Sequence, residues 1–438
     1  MTPLEPLRLT LAEWETCAPR PGHPLWGRAL DAEPSVRRAA ERITQEGKLD
    51  ILELAAGLRV SARQYVGALR LGSLEIVIRP KLEGLPLLNL MRYAYHLRRL
   101  DLLTPLDFGL ETTRFQDVLI WQLLSEAQEL IERGLHRRYE RLAETLASPR
   151  GRVDFQTLAQ RGGLLEAALP CVHYQRLEDN TLNQALLAGL RLAARLADDL
   201  TLRTQARRLA GILEPSVSAI PLSAETLARA ESLTTRLTFA YRPSLTLLEI
   251  LLASQGISLD PQAETARLPG FLFDMNRFFQ ALLTRFLSEN LPGYQVHSEH
   301  QLRGMMFYDP QHNPRRRRSP MPRPDFAIQQ GSQVIALLDA KYRDLWVEDL
   351  PRDMLYQLAL YAFSQGEGGV ATILYPTLAA EAREARIEIA HPLTRSRLGR
   401  VALRPVNLLA LEKLVMAAPT TANQRQSEHF ARQMVFGE

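Results

Sequence analysis

Val334-Ile335-Ala336-Leu337-Leu338 is an unbroken apolar run that ends in Asp339-Ala340-Lys341, and few folds accept that combination. The run has the length and content of a central strand buried on both faces. Asp339 and Lys341 are two residues apart, so their side chains leave the same face of the strand. Charge on a buried strand is costly unless it is paired or ligated. Upstream, Arg323-Pro324-Asp325-Phe326-Ala327-Ile328 reads as a second strand, with Asp325 at its start just after a proline. Gly331-Ser332 supplies the turn between them. Paired as a hairpin, the strands bring Asp325 and Asp339 together at one sheet end. Two close carboxylates repel, and a divalent cation relieves the repulsion. Hard oxygen ligands favour magnesium, or manganese in its place.

Composition sharpens the reading of Lys341. The chain has 53 basic residues, and lysine occurs only at Lys48, Lys81, Lys341 and Lys413. Where arginine is the default cation, a lysine at the strand end looks selected for its compact, tunable charge. The competing reading is a strand-end Asp–Lys ion pair with no chemistry, and spacing alone does not separate the two.

At 438 residues the chain is long enough for two or three domains. Net charge is only +4, from 53 basic and 49 acidic residues, so any nucleic-acid surface has to be local. Cys17 and Cys171 are too few for a disulfide framework or a zinc site. No apolar run approaches the ~20 residues that span a bilayer, and the first residues lack a signal-peptide pattern. The expectation is a cytoplasmic protein with no membrane partner.

Residues 1–82 read as a small β-rich domain. Leu7–Trp14 is a strand candidate, and Pro34–Gln45 a helix opened by proline. Strand-like runs follow at Leu49–Leu54, Leu58–Tyr65 and Ala68–Ile78, the last broken by Gly72-Ser73 into a tight hairpin. Residues 83–265 read as mainly helical. Expected helices are Leu87–Leu100, a long one capped by Thr113 and running to about Leu146, then Leu182–Arg208, Ser223–Arg236 and Leu245–Gln255. Arg133, Arg137, Arg138 and Arg141 would put cations near one helical face, either a solvated face or a phosphate-tracking one.

Residues 266–438 carry the informative order. A helix starts at Asp274 and reaches about Ser288, and Tyr294–Leu302 is a strand. Arg315, Arg316, Arg317 and Arg318 form a four-arginine loop flanked by proline. The Asp325 and Asp339 strands follow, then a helix at Pro351–Ser364 and a strand at Val370–Tyr375. Helix, three strands, helix, strand (αβββαβ) resembles the core of PD-(D/E)XK nucleases. The signature is present as Pro324-Asp325 and Asp339-Ala340-Lys341. Gln357 and Tyr361 lie four apart on one helical face, similar to the QxxxY element of a RecB-like branch of that fold. Members usually carry an acidic residue on the first helix. Here Gln280 takes the comparable place, with Glu299 on the next strand as a candidate substitute.

Across the chain the resemblance narrows to the McrC family, the nuclease subunits of McrBC modification-dependent restriction systems. It rests on Gly67–Ile76 with Arg79-Pro80-Lys81, Arg133-Gly134-Leu135, Gly151–Phe155, Cys171–Asn183 and Phe273-Asp274-Met275-Asn276, together with the nuclease motif. What it implies is a magnesium-dependent endonuclease of double-stranded DNA, active in phage defence against methylcytosine-type modification. The implied partner is a McrB-type AAA+ GTPase ring, docked by the N-terminal part and stimulated by it. The chain itself has no GxxxxGK[ST] phosphate loop. Asp325, Asp339 and the Ala340 carbonyl would hold Mg²⁺, and Lys341 would serve the attacking water. Gln357 and Tyr361 would orient the site, and the arginine loop would touch phosphates or simply be solvated. Double-strand cleavage would need two such subunits brought together through paired complexes. Two other classes stay open: a RecB-like repair or recombination nuclease, and a non-catalytic assembly module with a decayed nuclease core. The expected architecture is α+β and multidomain.

Overall fold

A computed structural model describes residues 7–31, 33–97, 115–161, 167–255 and 270–437. The chain divides into two compact units. One comprises Met1–Arg99, Gly109–Glu111 and Gly256–Glu438; the other comprises Leu100–Phe108 and Thr112–Gln255. The architecture is mixed α/β, with several sheets.

The first unit opens with β1 (Leu7–Ala12), β2 (Thr16–Cys17), α1 (Pro34–Gln45), β3 (Leu49–Leu54), β4 (Gly57–Ala62), β5 (Tyr65–Leu71), β6 (Leu74–Arg79) and α2 (Gly84–Ala94). The Gly72-Ser73 hairpin turn forms as the alternation predicts. Gly72 has φ +57°, and Asp31 accepts from the Ser73 N–H at 2.8 Å and its hydroxyl at 2.9 Å. β1 runs parallel to β6, and β2, β4 and β3 form a second, antiparallel sheet. Val36 and Ile43 of α1 pack with Leu9, Leu49, Val60 and Ile76 from both sheets.

In the second unit the expected long helix is shorter. Thr113 lies outside the described residues, and α3 (Phe115–Arg133) stops at Gly134, whose φ of +90° ends the helical hydrogen-bond run. β7 (Arg138–Leu146), β8 (Arg152–Val153), α4 (Phe155–Gln160) and β9 (Leu169–Leu177) follow, and the three strands pair antiparallel as β7-β9-β8. Arg133 is therefore on a helix, while Arg138 and Arg141, three apart on β7, leave opposite faces of a strand. The four arginines share no helical face. The expected helix 182–208 is two: α5 (Thr181–Leu196) and α6 (Leu200–Leu213), the second capped by Asp199. α7 (Ala224–Ser232) and α8 (Arg242–Ala253) complete the unit. Asn183 is fully buried. Its carbonyl accepts from Tyr241 at 2.6 Å, and its amide donates to the His136 carbonyl at 2.9 Å. That motif residue serves to satisfy the turn before β7.

The chain returns to the first unit with β10 (Gly270–Asp274), α9 (Met275–Asn290), β11 (Gln295–Ser298), β12 (Phe326–Gln330), β13 (Gln333–Ala340) and α10 (Arg352–Ser364). Then come β14 (Gly369–Thr377), β15 (Ala385–Ala390), β16 (Arg397–Asn407), α11 (Leu408–Met416) and α12 (Thr421–Phe436). β10 pairs antiparallel with β5 and completes a sheet ordered β1-β6-β5-β10. Residues 1–82 and 266–438, expected as separate domains, thus share a sheet. Its strands meet at Gly67, where an added Cβ would lie 2.0 Å from the Phe271 carbonyl oxygen. The remaining strands form a six-stranded sheet ordered β11-β12-β13-β14-β16-β15. β11, β12 and β13 are antiparallel neighbours, and β13 and β14 are parallel with α10 between them in sequence.

Candidate active site

Three elements, β12, β13 and α10, bring Asp325, Asp339, Lys341, Gln357 and Tyr361 together. β12 and β13 are joined by the two residues Gly331-Ser332, with φ +59° at Gly331, as hairpin turns of the primed types require. A bulge between Ile328 and Gln329 lies toward the turn. Beyond it the register is regular: Phe326 pairs with Leu338, so one rung further Asp325 stands opposite Asp339. Alternation then places Asp325, Asp339 and Lys341 on the face shared by Ala327 and Leu337. That face packs on α10, with Leu358 and Tyr361 in the same apolar cluster.

Asp339 is 2% exposed. Its Oδ2 lies 3.0 Å from the Lys341 ammonium, and its Oδ1 is buried with no hydrogen-bond partner. Lys341 is also 3.9 Å from Asp325 Oδ2, which accepts the Ala340 N–H at 2.8 Å. Burial, with repulsion from Asp325 added, pushes Asp339 up to about 7 against the pull of Lys341. Burial draws the Lys341 ammonium down, but the two carboxylates outweigh it and hold it above its ordinary value. Gln357 donates to the Tyr361 hydroxyl at 2.7 Å, and that hydroxyl donates to the Arg323 carbonyl at 2.9 Å. Burial, then the charge of Asp339, pushes the Tyr361 phenol up to about 12.

These groups have the chemistry of a divalent-cation site. Two carboxylates converge, and one buried carboxylate oxygen is left without a donor, which is costly unless something positive meets it. Among the described residues no three His, Cys, Asp or Glu side chains gather around one point. Neither Gln280 nor Glu299 completes a carboxylate trio. Glu299 is exposed, with φ +52°; it donates its N–H to the Asp325 carbonyl at 2.9 Å and lines an open groove of about 850 Å³ with His297, His300 and Arg303. Arg315, Arg316, Arg317 and Arg318 are all exposed, in the crossing from β11 to β12. Asn313 shapes that loop by accepting from the Arg317 N–H at 2.8 Å and donating to the Arg317 carbonyl at 2.9 Å. The Arg323 carbonyl was not foreseen as part of the site; a main-chain acceptor leaves no side-chain signal.

The chain matches the family described as McrBC 5-methylcytosine restriction system component over residues 60–376. No curated protein matches it. Its fold is similar to a chain in the refined half-complex from the tetradecameric assembly of Thermococcus gammatolerans McrB AAA+ hexamers with bound McrC. The TM-score is 0.60 at 19% identity, over 97% of this chain and 99% of that one. A chain in the cryo-EM structure of the Thermococcus gammatolerans McrBC complex matches at 20% identity and TM-score 0.44, over 65% and 88%.

Proposed function

The chain belongs to the family of McrBC 5-methylcytosine restriction system components, and on that premise we propose that it is the McrC-type DNA endonuclease subunit of such a system. The observation that carries this reading is the unpartnered, buried Asp339 Oδ1 beside Asp325 and Lys341. The order α9-β11-β12-β13-α10-β14 supports a PD-(D/E)XK core around it. Asp325, Asp339 and the Ala340 carbonyl would hold Mg²⁺, with Mn²⁺ able to replace it. Bound there, the cation supplies Lewis acidity for hydrolysis of a DNA phosphodiester. Lys341 orients the attacking water and stabilises charge developing on the phosphoryl oxygens. Tyr361 and Gln357 hold the approach to Asp325. Arg315–Arg318 meet phosphates without reading bases.

The chain acts with a separate McrB-type AAA+ GTPase, which its part before about residue 250 docks and stimulates. Support comes from the absence of a phosphate loop in this sequence and from the similarity to a chain solved with McrB AAA+ hexamers. Two copies brought together in paired complexes would cut both strands. The test is supercoiled plasmid bearing 5-methylcytosine, with Mg²⁺ and with or without the GTPase. Cleavage should need both, and Asp339→Ala should abolish it while partner binding persists. Cleavage retained by that variant removes the site assignment. End-dependent digestion without a GTPase would favour a RecB-like nuclease. That no third carboxylate joins the pair among the described residues favours a second reading, a non-catalytic assembly module, which inertness under every condition would support.

A further inference from the structure

The ladder of β13 with β14 ends at Ala340, yet the next peptides also have hydrogen-bond partners. The Lys341 N–H donates to the Leu374 carbonyl at 3.1 Å, and the Lys341 carbonyl accepts from the Arg343 N–H at 2.8 Å. The Tyr342 N–H donates to Asn276 Oδ1 at 2.7 Å, and the Tyr342 carbonyl accepts from the Trp14 indole N–H at 2.8 Å. The Arg343 guanidinium lies 5.2 Å over the Trp14 ring, and the buried Tyr342 ring meets Phe279 of α9 edge-on at 5.9 Å. The peptide after the reactive lysine is thus gripped from both sides by side chains remote in sequence.

Both grips originate in the sheet β1-β6-β5-β10. Trp14 sits in the turn after β1, in the left-handed region at φ +64°, a conformation that disfavours a bulky side chain and here aims the indole at Tyr342. Asn276 is in the first turn of α9, which continues directly from β10. Asp274 caps that helix by accepting from the Asn276 N–H at 2.9 Å, and the Met275 N–H donates to the Gln64 carbonyl at 3.0 Å.

We propose that Asn276 and Trp14 are positioning residues for Lys341, bracing the Tyr342 peptide so that the sheet β1-β6-β5-β10 sets the location of the reactive amine. The proposal rests on the nuclease reading for its consequence, but the brace is measurable without it. Small displacements of a reacting group cost on the order of 10- to 100-fold in rate.

The experiment uses the full chain as Trp14→Phe, Asn276→Ala and Asn276→Asp. Asn276→Asp keeps the acceptor for the Tyr342 N–H. Amide hydrogen exchange of the metal-free protein is read at Tyr342 and Arg343. Cleavage of methylated plasmid with Mg²⁺ and the GTPase is read as kcat and KM separately. Asn276→Ala should lose protection at Tyr342, and both it and Trp14→Phe should lower kcat by about tenfold or more with KM unchanged. Asn276→Asp should restore protection and most of kcat. If Asn276→Ala does not fold, Trp14→Phe carries the test through kcat, and a parental kcat in that variant overturns the positioning role. Parental protection at Tyr342 in Asn276→Ala overturns the brace. Lost protection with parental kcat overturns the positioning role. Absence of cleavage by the parent itself strikes the nuclease reading instead, and leaves the exchange result standing.

Discussion

The Tyr361 hydroxyl donates to the Arg323 carbonyl at 2.9 Å, tying α10 to the residue two before Asp325. Gln357 donates to the same hydroxyl, so the phenol is locked as donor toward Arg323. Tyr361→Phe keeps the ring in its apolar cluster and removes this link together with the hydrogen bond from Gln357, whose exposed amide turns to water. The loss should cost about 1–2 kcal/mol of stability, a typical hydrogen bond plus an unpaired carbonyl. Cleavage should fall more than stability suggests, because Asp325 loses its tether. Thermal denaturation beside plasmid cleavage checks both.

Asp339→Asn should be more stable than the parent in the absence of metal, while cleaving nothing. Burial and the neighbouring Asp325 make a charged Asp339 unfavourable, and the amide carries no charge. The gain should be about 1–3 kcal/mol at pH 8, partly offset by the weakened partner for Lys341. Urea denaturation in EDTA measures it. A variant less stable than the parent would show that the Lys341 pair outweighs the burial of the charge.

Lys341→Arg preserves charge but not shape. The ammonium fits a site where Asp339 is 3.0 Å away and the side chain is only 23% exposed. A planar guanidinium is wider, and it would engage both carboxylates in fixed fork geometry. Cleavage should fall by on the order of 100-fold, with DNA affinity nearly unchanged. Filter binding alongside cleavage separates the two.

Gly67→Ala should be among the most damaging single-methyl changes. Gly67 has φ +133°, and the added carbon would collide with the Phe271 carbonyl. Relief requires β5 and β10 to part, which loosens the base of α9 as well. A loss of about 3 kcal/mol or more is expected, readable as a fall in Tm.

The layout of the candidate site was legible because its signals are local. An apolar strand ending in Asp339 and Lys341, a two-residue turn, and Gln357 with Tyr361 one helical turn apart each fall within a short window. The folded chain brings them to one face with Asp325 opposite Asp339. Pairings across long separations were not legible. β10 joins β5 from some two hundred residues away, and nothing in Gly270–Asp274 names its partner. β7 was absorbed into a helix because Arg138–Leu146 is exposed along most of its length, so no alternation of apolar residues marks it. Gly134 marks the helix end, but a glycine in a helical pattern is ambiguous until its φ is known, and the expected helix ran through it.

Glu13 gives the fold a pH dependence separate from the metal ligands. It is 3% exposed, and neither carboxyl oxygen has a hydrogen-bond partner. Burial pushes its pKa from 4.5 up to about 8, against the pull of Lys81, and the buried Tyr342 hydroxyl faces it without a partner of its own. The folded protein thus holds a proton on Glu13 over a range where the unfolded chain has released it. Folding takes up that proton, so the stability contribution is full below about 4.5 and is lost progressively as pH rises to about 8. Asp339 has the same sign, so the comparison belongs in an Asp339→Asn background. There Glu13→Gln should leave stability near pH 5 close to its reference and flatten the decline between pH 5 and 8. Parallel stability curves with and without Glu13 would mean that the carboxylate is ionised in the fold, with Lys81 as its full counter-charge.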